Sequence, residues 1–282
     1  MFKKAIKLSF VVSFLFSNQL FAQDLPMPSP MGTSNQTVGL TEIEITYSRP
    51  SVKDRKIYGE LVPYNKIWRT GANKATAIRF SDDVKIGGSD LKAGVYAIFT
   101  IPGEKEWEIL FNSNTEQWGA YDHKDEEVVL RIKVNSEESE FTESMLFYFD
   151  DLRNNTATLN LQWEKTRVSI PIEVETESRA IGNIESAIKE AEGQFRTYRN
   201  AARYYIDNDK DPKKALEWAQ KSVDMDKKFW NLTTLSEAQA KNEMYKEAIK
   251  TAEEAKALAE EAKNENYIKV NSENIEIWKA KK

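Results

Sequence analysis

The chain of 282 residues has no cysteine and a single histidine, His123. Without thiols there is no disulfide, no thiolate nucleophile and no zinc-thiolate centre, so stability has to come from core burial. Any Ser-His-Asp device or histidine metal site would have to pass through His123. That residue stands in the polar stretch Tyr121-Asp122-His123-Lys124-Asp125-Glu126-Glu127 and reads as a solvated loop histidine. A Gly-rich phosphate loop, a nucleophile elbow and the spaced acidic ladder of an EF-hand are also missing. Neither a cofactor nor a metal is expected. No apolar run nears the roughly 18 residues that a spanning helix requires. Blocks of Lys and Arg are absent, and 45 acids against 40 bases leave a formal net charge of -5. Such a surface offers no electrostatic footprint to nucleic acid or to an anionic membrane.

What is present begins with a leader. Lys3, Lys4 and Lys7 precede a short apolar run, 8–16, and Ala22 stands before Gln23. A basic region, a short apolar core and a small residue are the parts of a secretory signal peptide. The mature chain is expected to start at Gln23, with cleavage after Ala22, and to be periplasmic or secreted. No Cys follows the apolar run, so no lipid or membrane anchor is expected. Residues 1–22 hold three Lys and no acid, so their loss takes the charge from -5 to -8 and leaves 260 residues. That length suffices for two ordinary domains.

Residues 23–36 are rich in Pro, Ser, Met and Gly and read as an N-terminal arm. From 37 to 175 the period is two: Ile43, Ile45 and Tyr47, then Leu159, Leu161 and Trp163, then Val168, Ile170, Ile172 and Val174 alternate with polar residues. Alternation of this kind marks strands with one buried face. Residues 95–101 are apolar on both faces and predict a central strand. Turn residues, Gly87-Gly88, Pro102-Gly103, Asn154-Asn155 and Glu164-Lys165, divide the region into about nine short strands. The fold class expected is an antiparallel sandwich or barrel followed by an all-α region. After a linker at 176–182, residues 183–282 turn helical. Ala215, Ala219 and Ser222 overlay Ala248, Ala252 and Ala255 at an offset of 33 residues. This spacing resembles the helix pair of tetratricopeptide repeats.

The densest chemistry lies between Arg49 and Asn73, above all in Trp68-Arg69-Thr70-Gly71-Ala72-Asn73. Aromatic planes, Arg forks and an amide are groups that hold sugars, carboxylates or peptide ends. The plain alternative is a crossover in which Trp68 caps the core and Arg69 ties down carbonyls. A second aromatic stretch, 117–121, is expected on the same face. Together they predict a ligand site of Arg49, Tyr64, Trp68, Arg69, Asn73, Trp118 and Tyr121. Carboxylate pairs such as Asp82 with Asp83, or Asp122 with Asp125, arise by chance among so many acids.

The strings Tyr47-Ser48-Arg49-Pro50, Leu61-Val62-Pro63-Tyr64, Trp68-Arg69-Thr70-Gly71-Ala72-Asn73, Ala93-Gly94-Val95-Tyr96, Gln117-Trp118-Gly119-Ala120-Tyr121 and Trp163-Glu164 resemble an exported family. It is the family known as domain of unknown function 2911, typical of Bacteroidetes, and the resemblance covers about residues 28–174. It implies an exported β domain, often followed by tetratricopeptide-like helices. It carries no activity, so it assigns no catalytic residue. The function expected is a non-catalytic binding module, with a glycan or small polar ligand on the β domain and a protein partner on the helices. The alternative is a carbohydrate-active hydrolase or lyase with an acid near the Trp68 and Trp118 clusters.

Overall fold

Alternation becomes sheet and the longer period becomes helix, with the change at Thr176. The computed structural model describes residues 26–191 and 194–281, so the leader expected on residues 1–22 lies outside the described residues. Among the described residues the strands are β1 (Met31–Val38), β2 (Thr41–Ser48), β3 (Thr76–Phe80), β4 (Val84–Ile86), β5 (Ser89–Leu91), β6 (Gly94–Ile101), β7 (Glu106–Asn112), β8 (Val128–Asp150) and β9 (Thr156–Val174). They form one antiparallel sheet in the order β1-β2-β3-β6-β7-β8-β9-β4-β5, which does not close into a barrel. β6 is central, between β3 and β7.

Two strands are not short: β8 has 23 residues and β9 has 19. The expected turn at Glu164-Lys165 is instead a kink inside the unbroken strand β9. Glu164 takes a left-handed φ of 56°, and the β8–β9 ladder shifts register between Glu138 and Thr142 and again before Leu146. At each shift four residues of advance along β8 match two along β9, so the surplus stands in β8, and across this irregular stretch the buried face changes in both strands. β9 buries odd-numbered Leu159, Leu161 and Trp163 before Glu164 and even-numbered Val168, Ile170 and Ile172 after it. β8 changes parity too, from Ile132 to Met145 and Phe147. Bent in this way, the sheet wraps one core that takes side chains from both its ends. Fully buried Trp107, Trp163, Phe80, Phe111 and Phe147 anchor it. Each such burial contributes roughly 1.5–3 kcal/mol, in a chain with no disulfide to help.

Where β8 leaves β9 it gains another partner. Met145 N–H donates to the Pro50 carbonyl at 3.0 Å and Val52 N–H to that of Glu143 at 2.8 Å. The Tyr47 hydroxyl accepts from Phe147 N–H at 3.0 Å. Residues 31–36, expected in a free arm, enter the sheet as β1, paired with β2 from Met31–Ser48 to Val38–Thr41. The side chains of β1 are mostly small and polar, so its pairing is carried by the backbone and shows no apolar alternation.

The helices are α1 (Glu177–Glu190), α2 (Phe195–Asp207), α3 (Pro212–Met225), α4 (Phe229–Lys241), α5 (Tyr245–Glu261) and α6 (Glu265–Lys279). The 176–182 linker is therefore the start of α1. Arg179 fastens it to the sheet, pairing with Asp82 at 2.7 Å and donating to the Leu40 carbonyl at 3.2 Å. Each helix packs on the next, and α2 also touches α4, as α4 touches α6. The small residues Ala215, Ala219, Ser222, Ala248, Ala252 and Ala255 are all buried at these seams. Among the described residues no helix is long and apolar enough to cross a membrane.

Candidate functional site

The 68–73 run continues the line of β3 along β6. Trp68 and Thr100 exchange both backbone hydrogen bonds, each at 2.8 Å. Residues directly opposite in an antiparallel pair share a face. Thr100 lies on the face of Ile98, so Trp68 points into the core, and its neighbours Ile67 and Arg69 lie on the other face with Phe99 and Ile101. Accordingly Trp68 is 9 % exposed and stacks on Trp163 at 6.0 Å. Its indole N–H donates to the Gly71 carbonyl at 3.1 Å.

The corner that follows is tight. Thr70 has a left-handed φ of 57°, an uncommon state for a β-branched residue. Its hydroxyl donates to Thr100 Oγ1 at 3.2 Å, and Thr76 Oγ1 donates to the Thr70 carbonyl. A Cβ at Gly71 would stand 3.2 Å from the Ser48 carbonyl oxygen. Asn73 Nδ2 donates to the Ser29 carbonyl and to Ser48 Oγ, both at 3.2 Å. Arg49 Nε donates to the Met145 carbonyl at 2.9 Å. Arg49 and Asn73 thus tie backbone segments together.

The other face of the sheet carries a second, smaller apolar cluster of Ala75, Ala97, Phe99 and Leu110, against which Ile67 and Ala120 pack. A strap, residues 113–127 between β7 and β8, covers it. Buried amides pin the strap: Gln117 Nε2 donates to Asn112 Oδ1 at 3.2 Å and to the Asn114 carbonyl at 3.1 Å. Ala75 N–H donates to the Gln117 carbonyl at 3.0 Å, and Lys74 bridges to Trp118. Beyond this anchor Gly119 turns at φ 91°, where a Cβ would meet the Tyr121 ring at 2.8 Å. Trp118 and Tyr121 then stand in solvent, 63 % and 93 % exposed.

Several polar atoms near the strap have no partner among the described residues: Arg69 Nε, Gln117 Oε1, His123 Nδ1 and Glu127 Oε2. Burial lowers the Arg69 pKa from its ordinary value, and nearby Tyr121 opposes that shift. The histidine expected in solvent is covered: its side chain is 8 % exposed and its ring lies 4.8 Å from that of Phe99. Nothing in its polar neighbours announced this, because the covering ring belongs to β6.

The seven residues expected at one site therefore divide. Arg69, Trp118 and Tyr121 come together on the strap face. Trp68 is core, Arg49 and Asn73 are ties, and Tyr64 lines a separate pocket with Tyr58 and Trp107. The sequence reading passed over Gln117's anchoring role and placed His123 in solvent. The signal available for Gln117 was a lone amide beside aromatics, too weak to single out. Among the described residues no group of three or more His, Cys, Asp or Glu is placed to hold a metal. No curated protein and no solved structure matches the chain. The family model described as "Protein of unknown function (DUF2911)" matches residues 29–172, which take in the sheet up to Ile172 and all seven of these residues, and the chain belongs to that family.

Proposed function

We propose that this is an exported, non-catalytic binding module whose β domain takes a glycan or small polar ligand on the strap face. One observation carries the reading: Trp118 and Tyr121 are held in solvent on a strap pinned by buried amides, beside a half-buried Arg69 with an unpartnered Nε. Exposed aromatic rings on an ordered backbone offer stacking area, and a guanidinium offers donors in a fixed fork. Sugar rings and small carboxylates are recognised by this pair of groups. The helices suit a protein partner. Their buried small-residue seams and the contacts of α2 with α4 and α4 with α6 support a tetratricopeptide-like stack. A groove of about 520 Å3, lined by Arg199, Phe229, Trp230 and Tyr267 among others, opens on it.

The hydrolase or lyase alternative wants an acid with a raised pKa among the aromatic rings. Among the described residues, the carboxylate held above its ordinary range is Glu237 in α4, raised by burial against the pull of Arg203. The binding reading is tested with a glycan array probed by the mature protein and by Trp118→Ala. Retention by the parent and loss in the variant support it. Equal retention by both overturns the strap site, and release of soluble products favours the enzyme.

A further inference from the structure

The groove on the helices is built where three of them begin. Arg196, Arg199 and Asn200 stand in the first two turns of α2, Phe229 and Trp230 open α4, and Tyr267 follows Asn264 at the start of α6. Aromatic contacts fix its wall: the Phe229 ring meets Trp230 edge-on at 4.7 Å and Tyr267 at 5.0 Å. Arg199 is held across it, with Nη2 donating to the Tyr267 hydroxyl at 3.3 Å and Nη1 to Asn200 Oδ1 at 3.4 Å. Both partners are neutral and both line the groove, so the outer edge of this guanidinium lies at its wall. Arg203, one turn further along α2, shows what an acid within reach does: it pairs with Asp207 at 3.3 Å and with Glu237. Among the described residues Arg196 and Arg199 enter no ion pair, and no carboxylate lines the groove.

The hydrogen-bonding capacity left over is one-sided. Asn264 Oδ1 accepts from Tyr267 N–H at 3.2 Å and Asn200 Oδ1 accepts from Arg199, which leaves both amide N–H2 groups without a partner among the described residues. The Tyr267 oxygen is engaged by Arg199, and its proton is free. With the spare N–H groups of two arginines, the groove offers donors and positive charge beside aromatic rings. The positive ends of three helix dipoles add to that field. Such a surface selects an acceptor-rich anion with an apolar part, and a planar carboxylate matches the guanidinium fork. The amide N–H2 groups, one on α2 and one on α6, suit the carbonyls of an extended backbone, which favours a peptide over a free acid. We infer that the groove docks an extended acidic segment of a partner protein, whose two carboxylates, two residues apart, meet Arg196 and Arg199 while an apolar side chain lies on the rings of Phe229 and Trp230. The spacings agree: residues three apart on a helix face stand about 5–6 Å apart, and residues two apart in an extended chain share a face about 6.6 Å apart. The inference rests on the reading that the helices take a protein, and it names that protein's chemistry.

Fluorescence polarisation of the mature protein with labelled, acetylated and amidated heptapeptides tests the inference. A peptide carrying Glu-Leu-Glu should bind saturably and more weakly as salt rises, and its Gln-Leu-Gln counterpart about tenfold more weakly. Arg199→Gln should weaken binding of the acidic peptide about tenfold, and Arg199→Lys, which keeps the charge but loses the fork, should recover only part of it. Arg196 is exposed and its side chain makes no hydrogen bond among the described residues, so Arg196→Gln should weaken binding at an unchanged melting temperature. Lys250→Gln, at an exposed cation of α5 outside the groove, should have no effect. Equal affinity for the Gln-Leu-Gln peptide, lost in Trp230→Ala, overturns the acidic partner and leaves a peptide groove standing. No saturable binding of either peptide overturns the inference together with the protein-partner reading. Parent affinity in both arginine variants overturns the site, and trigalacturonate that displaces the acidic peptide as well as unlabelled peptide does overturns the choice of a protein over an acidic glycan.

Discussion

The stretches 68–73 and 117–121 are alike as sequence, each holding a tryptophan, a glycine, an alanine and a side-chain amide, yet the fold turns their tryptophans in opposite directions. Trp68 is in the core and Trp118 is in water. The cause is pairing rather than composition. Trp68 is locked opposite Thr100, on the face of Ile98, whereas Trp118 belongs to a strap laid over the outer cluster and fastened through Gln117. Aromatic density in a loop therefore tells that something is held there, and the ladder partner tells on which side.

The sharpest way to break the comparison is to truncate both rings. Trp68→Ala leaves a cavity against Trp163 and Tyr58 and should cost about 3–5 kcal/mol in chemical denaturation. If Trp118→Ala costs as much, the strap ring is structural and the contrast fails. The next effect comes from the corner. Thr76→Val deletes the donor to the Thr70 carbonyl inside a buried site, leaving that acceptor unpaired, and should cost about 1–3 kcal/mol. A neutral Thr76→Val would show that the strained turn at Thr70 is held by something else.

Arg69 lies between these extremes, on the outer face of the same run. Were it a structural tie, Arg69→Ala would strand carbonyls and cost about 1–3 kcal/mol. Among the described residues its side chain makes no hydrogen bond, and burial already disfavours its charge. The expected change is thus below about 1 kcal/mol, the loss of stem packing alone, with capture of a ligand on the strap face abolished. A thermal melt together with array binding checks both halves.

Much of the fold was legible because it rests on period. The switch near Thr176 separates residues whose neighbours two apart share a face from residues whose neighbours three and four apart do. What was not legible depended on partners distant in the chain. The kink at Glu164 resembled a turn because both interrupt alternation; only the course of β8 beside it distinguishes them. β1 was passed over because its polar side chains leave pairing to the backbone. The start of α1 looked like a linker, although Arg179 reaches back to Asp82 and Leu40. At the candidate site the nearness of 117–121 to 68–75 follows from the sheet, through Ala75 and Gln117. The division of Tyr64 from Arg69 does not, since it depends on which side of β6 each residue lies.

The smallest stability effect is expected where the functional effect should be largest. Trp118 and Tyr121 bury little, so replacing either by alanine should change stability by no more than about 0.5 kcal/mol. The anchor beneath them is independent of both rings: Gln117 holds Asn112 and Asn114 with its amide, and Lys74 reaches Glu116 at 3.0 Å. A Trp118→Ala, Tyr121→Ala double variant should therefore melt with the parent and keep slow amide exchange at Ala75, whose N–H is bonded to the Gln117 carbonyl. Loss of glycan retention in that variant, with Ala75 still protected, would place recognition in the exposed rings. Faster exchange at Ala75 would mean that the rings help to hold the strap down, and Trp118 would join Trp68 as a structural residue.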